Sequence, residues 1–123
     1  MKGLPLAVTV CVVSLGVAAS VGGAALARQE AKAHPRTARV TIVNDRKTVG
    51  RYSPATITVH RGDHVVFRNA SDAPHTVSAD NRSFDSGTIL MGKSWTFTPR
   101  KAGTFTYFCQ FHAGMNGKIV VKP

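Results

Sequence analysis

The sequence predicts an all-β domain, a β-sandwich of about seven to eight short strands preceded by a leader segment. Three observations predict this fold. Apolar and polar residues alternate in short segments. These segments are rich in Thr, Val, Ile, Phe and Tyr, and turn residues separate them. Such alternation indicates strands that are buried on one face, and β-branched and aromatic residues suit a half-buried pleated surface. A chain of 123 residues is long enough for one domain of this kind.

The composition of residues 1–27 separates them from the rest of the chain. After Lys2, an uncharged stretch rich in Val, Ala, Leu and Gly continues to an Ala-Leu-Ala sequence at 25–27. This order is the layout of a secretory signal peptide with cleavage after Ala27. The stretch is also long enough to cross a bilayer, for which about 20 residues suffice, so an uncleaved anchor is the alternative. In either case residues 28–123 are expected outside the cytoplasm, in the periplasm or secreted.

The rest of the chain divides into a tether and a domain. Residues 28–38 are polar, contain Pro35 and lack periodicity, which predicts a tether with His34 exposed to solvent. Residues 39–123 form the predicted domain, in which Gly, Asp, Asn and Ser cluster between the apolar segments as turns require. The candidate strands are 39–43, 56–60, 64–69, 76–79, 93–98, 103–108 and 118–122.

The inward-facing positions of these strands supply the predicted core. Because side chains alternate between the two faces of a strand, the apolar residues at alternate positions are expected to point inward. The candidates are Val40, Ile42, Ile57, Val59, Val65, Phe67, Val77, Phe84, Leu90, Trp95, Phe97, Phe105, Tyr107, Ile119 and Val121.

The charge balance excludes some classes of function. The chain has 16 Lys and Arg against 6 Asp and Glu, a formal net charge of +10, which favours acidic partners. The basic residues are scattered without a run of five or more, so nucleic-acid binding is not expected. The carboxylates after residue 40 lie near turns, where Asp usually serves backbone geometry. No substrate site with acid and base residues is apparent, so we predict a protein without catalytic residues, not an enzyme.

Cysteine usage gives the first indication of a metal site. Cys11 lies in the leader, so the exported part would hold a single cysteine, Cys109. Exported proteins usually pair their cysteines, and an odd one suggests a reactive thiol, an intermolecular bridge or a metal ligand. Cys109 is followed by His112 and Met115, which places a thiolate, an imidazole and a thioether within seven residues. His75 lies at an upstream loop-to-strand junction and could add a second imidazole. Two His, one Cys and a weak axial Met are the ligand set of blue-copper sites.

Each of these residues has a simpler explanation when it is taken alone. Cys109 could be a buried free thiol, Met115 a core residue, and His75 a capping or surface residue. The combination of all four at this spacing favours the metal site. His60 and His64 match no ligand position and are predicted to lie on the surface.

These residues and others along the domain resemble a small cupredoxin of the plastocyanin and amicyanin type. The resemblance implies a Greek-key sandwich that holds one type 1 copper ion. Its ligands would be the imidazoles of His75 and His112, the thiolate of Cys109 and, at the axial position, Met115. Thr76 stands where the family often has an Asn that ties two ligand loops together, and Thr can make fewer such bonds. The matching segments are 52–54, 57–59, 62–63, 65–69, 74–77, 84–87, 104–109, 112, 115 and 117–121.

The resemblance also implies a function, the shuttling of single electrons between redox proteins. Partners would dock near His112, where Phe111, Ala113, Gly114 and Pro74 would form an apolar patch around the ring edge. The basic charge predicts acidic partners, and a monomer is expected, with membrane contact if the leader stays uncleaved. One alternative is a copper-binding or copper-delivery protein of the cell envelope without electron-transfer partners. Another is an interaction module that carries zinc or no metal, against which the intact ligand set argues.

Overall fold

The structure is a computed structural model that describes Gly3 and residues 33–123. Apart from Gly3, the predicted leader lies outside the described residues, as do residues 28–32 of the predicted tether. Signal-peptide cleavage and membrane anchoring therefore stay predictions from the sequence. Within the part that is described, no helix is long and apolar enough to cross a membrane.

Within residues 33–123, eight strands form two four-stranded sheets. One sheet has the order β2-β1-β4-β6 and the other β3-β8-β7-β5. The chain changes sheet at every connection between β2 and β7, which confirms the predicted sandwich with Greek-key crossings. The strands are β1 (Thr37–Asp45), β2 (Val49–Ser53), β3 (Thr56–His60), β4 (His64–Asn69), β5 (Ser78–Ala79), β6 (Ser94–Phe97), β7 (Gly103–Phe108) and β8 (Asn116–Lys122).

The core lies between the inner faces of the two sheets. Parallel pairing of β1 with β4 sets Val40 opposite Phe67, and parallel pairing of β3 with β8 sets Ile57 opposite Ile119. Phe67 also meets the ring of Tyr107 edge-on, with ring centroids 5.4 Å apart. Burial of this apolar surface stabilises the sandwich. The buried hydrophobic residues are Val40, Ile42, Tyr52, Ile57, Val59, Val65, Phe67, Val77, Ala79, Phe84, Ile89, Tyr107, Cys109, Met115, Ile119 and Val121.

The structure corrects the predicted strands and core in three places. Strand β2 was absent from the prediction because Gly50 and Arg51 interrupt its apolar pattern, yet it pairs with β1 and buries Tyr52. The prediction that Leu90 belongs to the core is wrong, since its side chain is 58% exposed. The backbone of the preceding residue, Ile89, pairs with that of His75, so Ile89 is the residue buried there.

The boundary between tether and domain also differs from the prediction. Strand β1 begins at Thr37, two residues before the predicted start of the domain at residue 39. The reason is that Thr37 and Ala38 pair with His64 and Val65 at the start of β4. The predicted surface positions of His34, His60 and His64 are confirmed, since all three are exposed.

Candidate metal centre

Two loops at one end of the sandwich carry the predicted ligands. The first loop follows β4 and leads through His75 into β5, and the second follows β7 and begins with Cys109. Strand β5 pairs with the end of β7, with Ser78 opposite Phe108. This pairing explains why His75 and Cys109, which are far apart in the sequence, lie side by side in the fold.

The side chains of His75, Cys109 and His112 converge on one point. Their ligand atoms all lie within 4.8 Å of one another. The Sγ atom of Cys109 lies 3.8 Å from Nδ1 of His75 and 3.4 Å from Nδ1 of His112. His75 and Cys109 are buried, and His112 is half-buried. Among the residues described, this is the single group of three or more His, Cys, Asp or Glu side chains with such geometry.

Met115 is held beside the other ligands by the turn that contains it. The backbone N–H of Cys109 donates to the carbonyl of Met115 at 3.0 Å, which closes the loop on itself. Inside the loop, the N–H of Met115 donates to the carbonyl of His112 at 3.3 Å. The Met115 side chain is 2% exposed, so it is buried next to the loop backbone that carries Cys109 and His112.

The ring of His75 is enclosed on several sides. An added Cβ at Gly50 of β2 would overlap the ring atoms, so this glycine provides the space in which the ring lies. The Nε2 atom lies 2.7 Å from Oγ of Ser71, and the backbone of His75 exchanges two hydrogen bonds with that of Ile89. Burial lowers the pKa of His75, and the nearby His112 adds to the lowering, so the ring stays neutral and able to bind a metal.

Thr76 joins the two ligand loops despite its short side chain. Its backbone N–H donates to the sulfur of Cys109 at 3.3 Å, and its hydroxyl oxygen accepts from the N–H of Gln110 at 2.9 Å. The Gln110 side chain extends the connection, since its Nε2 donates to Ser78 and to Asp85 at 2.9 Å each. The two ligand loops are therefore tied together through Thr76 and Gln110, with Ser78 and Asp85 supplying additional bonds.

Tyr52 supports the same loop from the missed strand β2. Its buried hydroxyl donates to the carbonyl of Thr76. Burial raises the pKa of Tyr52 above its ordinary value, and the nearby Cys109 and Tyr107 raise it further, so the phenol stays protonated and able to donate.

Exposed apolar side chains lie in the segments next to the ligands. The exposed large hydrophobic residues of the described chain are Val49, Leu90, Met91 and Phe111. Each belongs to a segment that touches a ligand: Val49 precedes the Gly50 contact, Leu90 and Met91 follow the Ile89 pairing, and Phe111 precedes His112. The residues predicted for this patch, Phe111, Ala113, Gly114 and Pro74, are exposed as well. Sequence reasoning missed Val49, Leu90 and Met91.

The donor set fits a copper ion. Bonds of about 2.0 Å to imidazole and about 2.3 Å to thiolate, the lengths known for zinc, would bridge nitrogen and sulfur atoms at the separations found here. Two imidazoles and one thiolate with a nearby thioether suit copper in particular, because soft sulfur donors stabilise Cu(I) while imidazole suits both oxidation states. His75, Cys109, His112 and Met115 thus have the geometry of a type 1 copper site.

Comparison with known proteins gives a consistent family. The family described as "Cupredoxin-like domain" matches residues 16–121. The chloroplastic plastocyanin of Tetradesmus obliquus is 36% identical over 84 residues, which are 58% of this chain and 58% of that protein. The plastocyanin of Daucus carota is 28% identical over 83 residues, 57% of this chain and 86% of that protein. The chain spans 58% and 52% of the first two plastocyanins it matches, the second from Fritillaria agrestis.

Solved structures agree with the sequence comparison. The purple cupredoxin of Nitrosopumilus maritimus superposes with a TM-score of 0.63 at 26% identity, covering 69% of this chain and 99% of that one. A reduced variant of amicyanin superposes with a TM-score of 0.61 at 25% identity, covering 75% of this chain and 88% of that one. The family match, the eight-stranded sandwich and the His-Cys-His-Met site together show that this chain belongs to the cupredoxin family.

Proposed function

We propose that this protein carries single electrons between redox proteins at the site formed by His75, Cys109, His112 and Met115. The observation that carries the proposal is the placement of the ligands. His75 and Cys109 are buried, whereas His112 is half-buried and follows the exposed Phe111. Such a site hides the metal from water and leaves one ligand edge near a partner.

The surroundings of the ligands keep their positions constant. Copper, when bound, supplies the one-electron couple between Cu(I) and Cu(II). Fast electron transfer requires that ligand positions change little between the two oxidation states. The ties between Thr76, Cys109 and Gln110, and the enclosure of His75 by Gly50 and Ser71, meet this requirement.

The role of each ligand follows from its burial and chemistry. Cys109 provides the thiolate, and the N–H of Thr76 reaches its sulfur, where hydrogen bonds tune the redox potential. Met115 would supply a weak thioether donor to the ion. The ring of His112 lies nearest the surface, so it is the route by which an electron would enter or leave.

The apolar patch around His112, defined as Val49, Leu90, Met91 and Phe111 with the exposed parts of residues 113–114, is the proposed docking surface. Small apolar surfaces suit transient electron-transfer complexes, which bury little area and separate quickly. The formal net charge of +10 would attract an acidic partner from a distance. The electron-carrier role also agrees with the plastocyanin and amicyanin resemblance. We propose the periplasm or extracellular space as location, on the strength of the leader at 1–27.

The first test is a visible absorption spectrum of residues 28–123 loaded with Cu(II), recorded beside a Cys109→Ala variant. An intense thiolate-to-copper band that disappears in the variant would support the proposed ligand set. A colourless copper complex would overturn it. Loading the same samples with Zn(II) as well controls for proper folding, because zinc accepts the remaining ligands without colour.

The second test concerns electron transfer itself. The electron self-exchange rate can be measured by NMR line broadening in mixtures of the reduced and oxidised protein. We expect Met91→Glu to slow exchange about tenfold or more, because an unpaired charge facing its own copy costs at least the 1.4 kcal/mol that corresponds to tenfold. The exposed Thr104→Glu on β7 changes the net charge equally and is the matched control. Slow exchange in the wild type, combined with rapid release of copper to a chelator, would instead favour copper delivery.

A further inference from the structure

We infer that the hydroxyl of Ser71, oriented by Asn69, fixes His75 in the Nε2–H tautomer, so that its Nδ1 lone pair faces Cys109 before any metal binds. Ser71 is thereby a positioning residue for a ligand that it precedes by four positions. The inference concerns the metal-free protein and holds whether the site carries electrons or delivers copper. Its failure and the failure of the proposed function can therefore be distinguished.

The side-chain amide of Asn69 has one allowed orientation. Its Nδ2 lies 2.8 Å from the carbonyl oxygens of both Ala73 and Ile89, which can accept and cannot donate. Its Oδ1 lies 2.9 Å from the backbone N–H of Ser71, which can donate and cannot accept. A rotated amide would place like groups together at all three contacts, so the NH₂ group must face the carbonyls.

The orientation of Asn69 determines where the Ser71 hydroxyl points. The Oγ of Ser71 lies 2.7 Å from Oδ1 of Asn69, and since that oxygen accepts, Ser71 must donate its single hydroxyl hydrogen to it. The other oxygen within reach is the carbonyl of Ala73 at 3.1 Å, which is also an acceptor. In neither arrangement is the hydrogen directed toward His75.

The tautomer of His75 follows from this assignment. Its Nε2 lies 2.7 Å from Oγ of Ser71, and since Ser71 donates elsewhere, the contact is a hydrogen bond when Nε2 carries the proton. A neutral imidazole carries one N–H, so Nδ1 keeps its lone pair. That atom is the one that lies 3.8 Å from the sulfur of Cys109. The ring therefore presents its metal-binding nitrogen to the sulfur of Cys109 without rearrangement.

Burial favours this single arrangement of hydrogen bonds over its alternatives. Asn69 and His75 are 0% exposed and Ser71 is 1% exposed, so water does not compete for their hydrogen bonds. Gly50 bounds the ring on another side, which opposes a ring flip that would exchange each nitrogen with a ring carbon. Partners of this kind on a metal-binding histidine commonly contribute about 10–100-fold in metal affinity.

Long-range proton–nitrogen correlation NMR of the metal-free protein at neutral pH tests the inference. In the wild type we expect a protonated Nε2 and an unprotonated Nδ1 for His75. In Ser71→Ala we expect a mixture of tautomers and a Cu(II) affinity lower by about 10–100-fold, measured by competition with a chelator. Ser71→Thr keeps the hydroxyl and should restore both properties. Ser78→Ala removes a buried hydroxyl that bonds Thr76 and not a ligand ring, and it should keep the wild-type tautomer.

Two results would overturn the inference. The first is a protonated Nδ1 on His75 in the metal-free wild type, a measurement that needs no variant. The second is a Ser71→Ala protein that keeps the wild-type tautomer, whatever its copper affinity, since a loss of affinity alone would mean a merely structural role for Ser71.

Discussion

Replacing Gly50 by Ala places a methyl group where the ring of His75 lies. The new Cβ would overlap the ring, and Gly50 is buried on β2, so the methyl group cannot turn toward solvent. The ring has little freedom to withdraw, because Ser71 binds its Nε2 and the backbone of Ile89 binds its main chain. Either β2 or the ring must move.

The cost of this replacement is that of overpacking a buried site. Such insertions typically lower the free energy of unfolding by about 1–3 kcal/mol. In a domain of this size each kcal/mol corresponds to about 4–8 °C in Tm. Because the displaced group is a ligand, copper affinity should fall as well, by about the 10–100-fold seen when the support of a metal-binding histidine is lost.

Thermal unfolding of the metal-free protein, followed by Cu(II) competition with a chelator, measures both effects. Gly117→Ala is the matched control, because its added Cβ would overlap the ring of Tyr107, which is not a ligand. We expect both variants to lose stability and Gly50→Ala alone to lose copper affinity strongly. Wild-type stability and affinity in Gly50→Ala would refute the reasoning, as would an equal loss of affinity in Gly117→Ala.

Two further predictions concern hydrogen bonds around the site, and a third concerns Asp63 in the turn between β3 and β4. Tyr52→Phe removes the hydroxyl that binds the Thr76 carbonyl and should lower the free energy of unfolding by about 1–3 kcal/mol in urea titrations; an unchanged midpoint would contradict this. Thr76→Val keeps the side-chain shape but loses the bond from Gln110, so the Cu(II) visible band should shift while the fold, followed by circular dichroism, is kept; an unshifted band would count against the tie. Asp63 accepts the N–H groups of His60 and Arg36, which lower its pKa. The stability that it adds should therefore be complete above the unfolded-state value of about 3.9 and should be lost as pH falls through the lower folded-state pKa. Unfolding of wild type and Asp63→Asn at several pH values checks this, and a difference that does not shrink in acid would disprove it.

The strand pattern could be predicted where apolar and polar side chains mostly alternate. The bounds of β3, β4 and β7 match the prediction, because β3 alternates over its whole length and β4 and β7 alternate over most of theirs. Strand β2 could not be predicted in this way, since its polar and small residues become a strand through pairing with β1. The exchange of Leu90 for Ile89 in the core has a similar cause, because the pairing of Ile89 with His75 decides which of two neighbouring apolar residues turns inward.

Three of the four ligands could be predicted because they lie close together in the sequence. Cys109, His112 and Met115 lie within one short loop, and the structure brings Cys109 and His112 together with His75 and buries Met115 beside them. Spacing and residue type indicated these three, whereas His75 was included from its loop-to-strand junction and from the family resemblance.

The sequence by itself determined that this chain is a β-sandwich with a His-Cys-His-Met copper site. The tertiary structure alone decided what holds that site in place. Gly50 gives His75 its space, Ser71 binds its outer nitrogen, and Tyr52 supports the loop that follows it. None of the three has a local signal, because each acts through close contact between segments that pairing of the strands brings together. The spacing of residues in the sequence indicates which side chains could bind the metal. The orientation of those side chains depends on packing between distant parts of the chain.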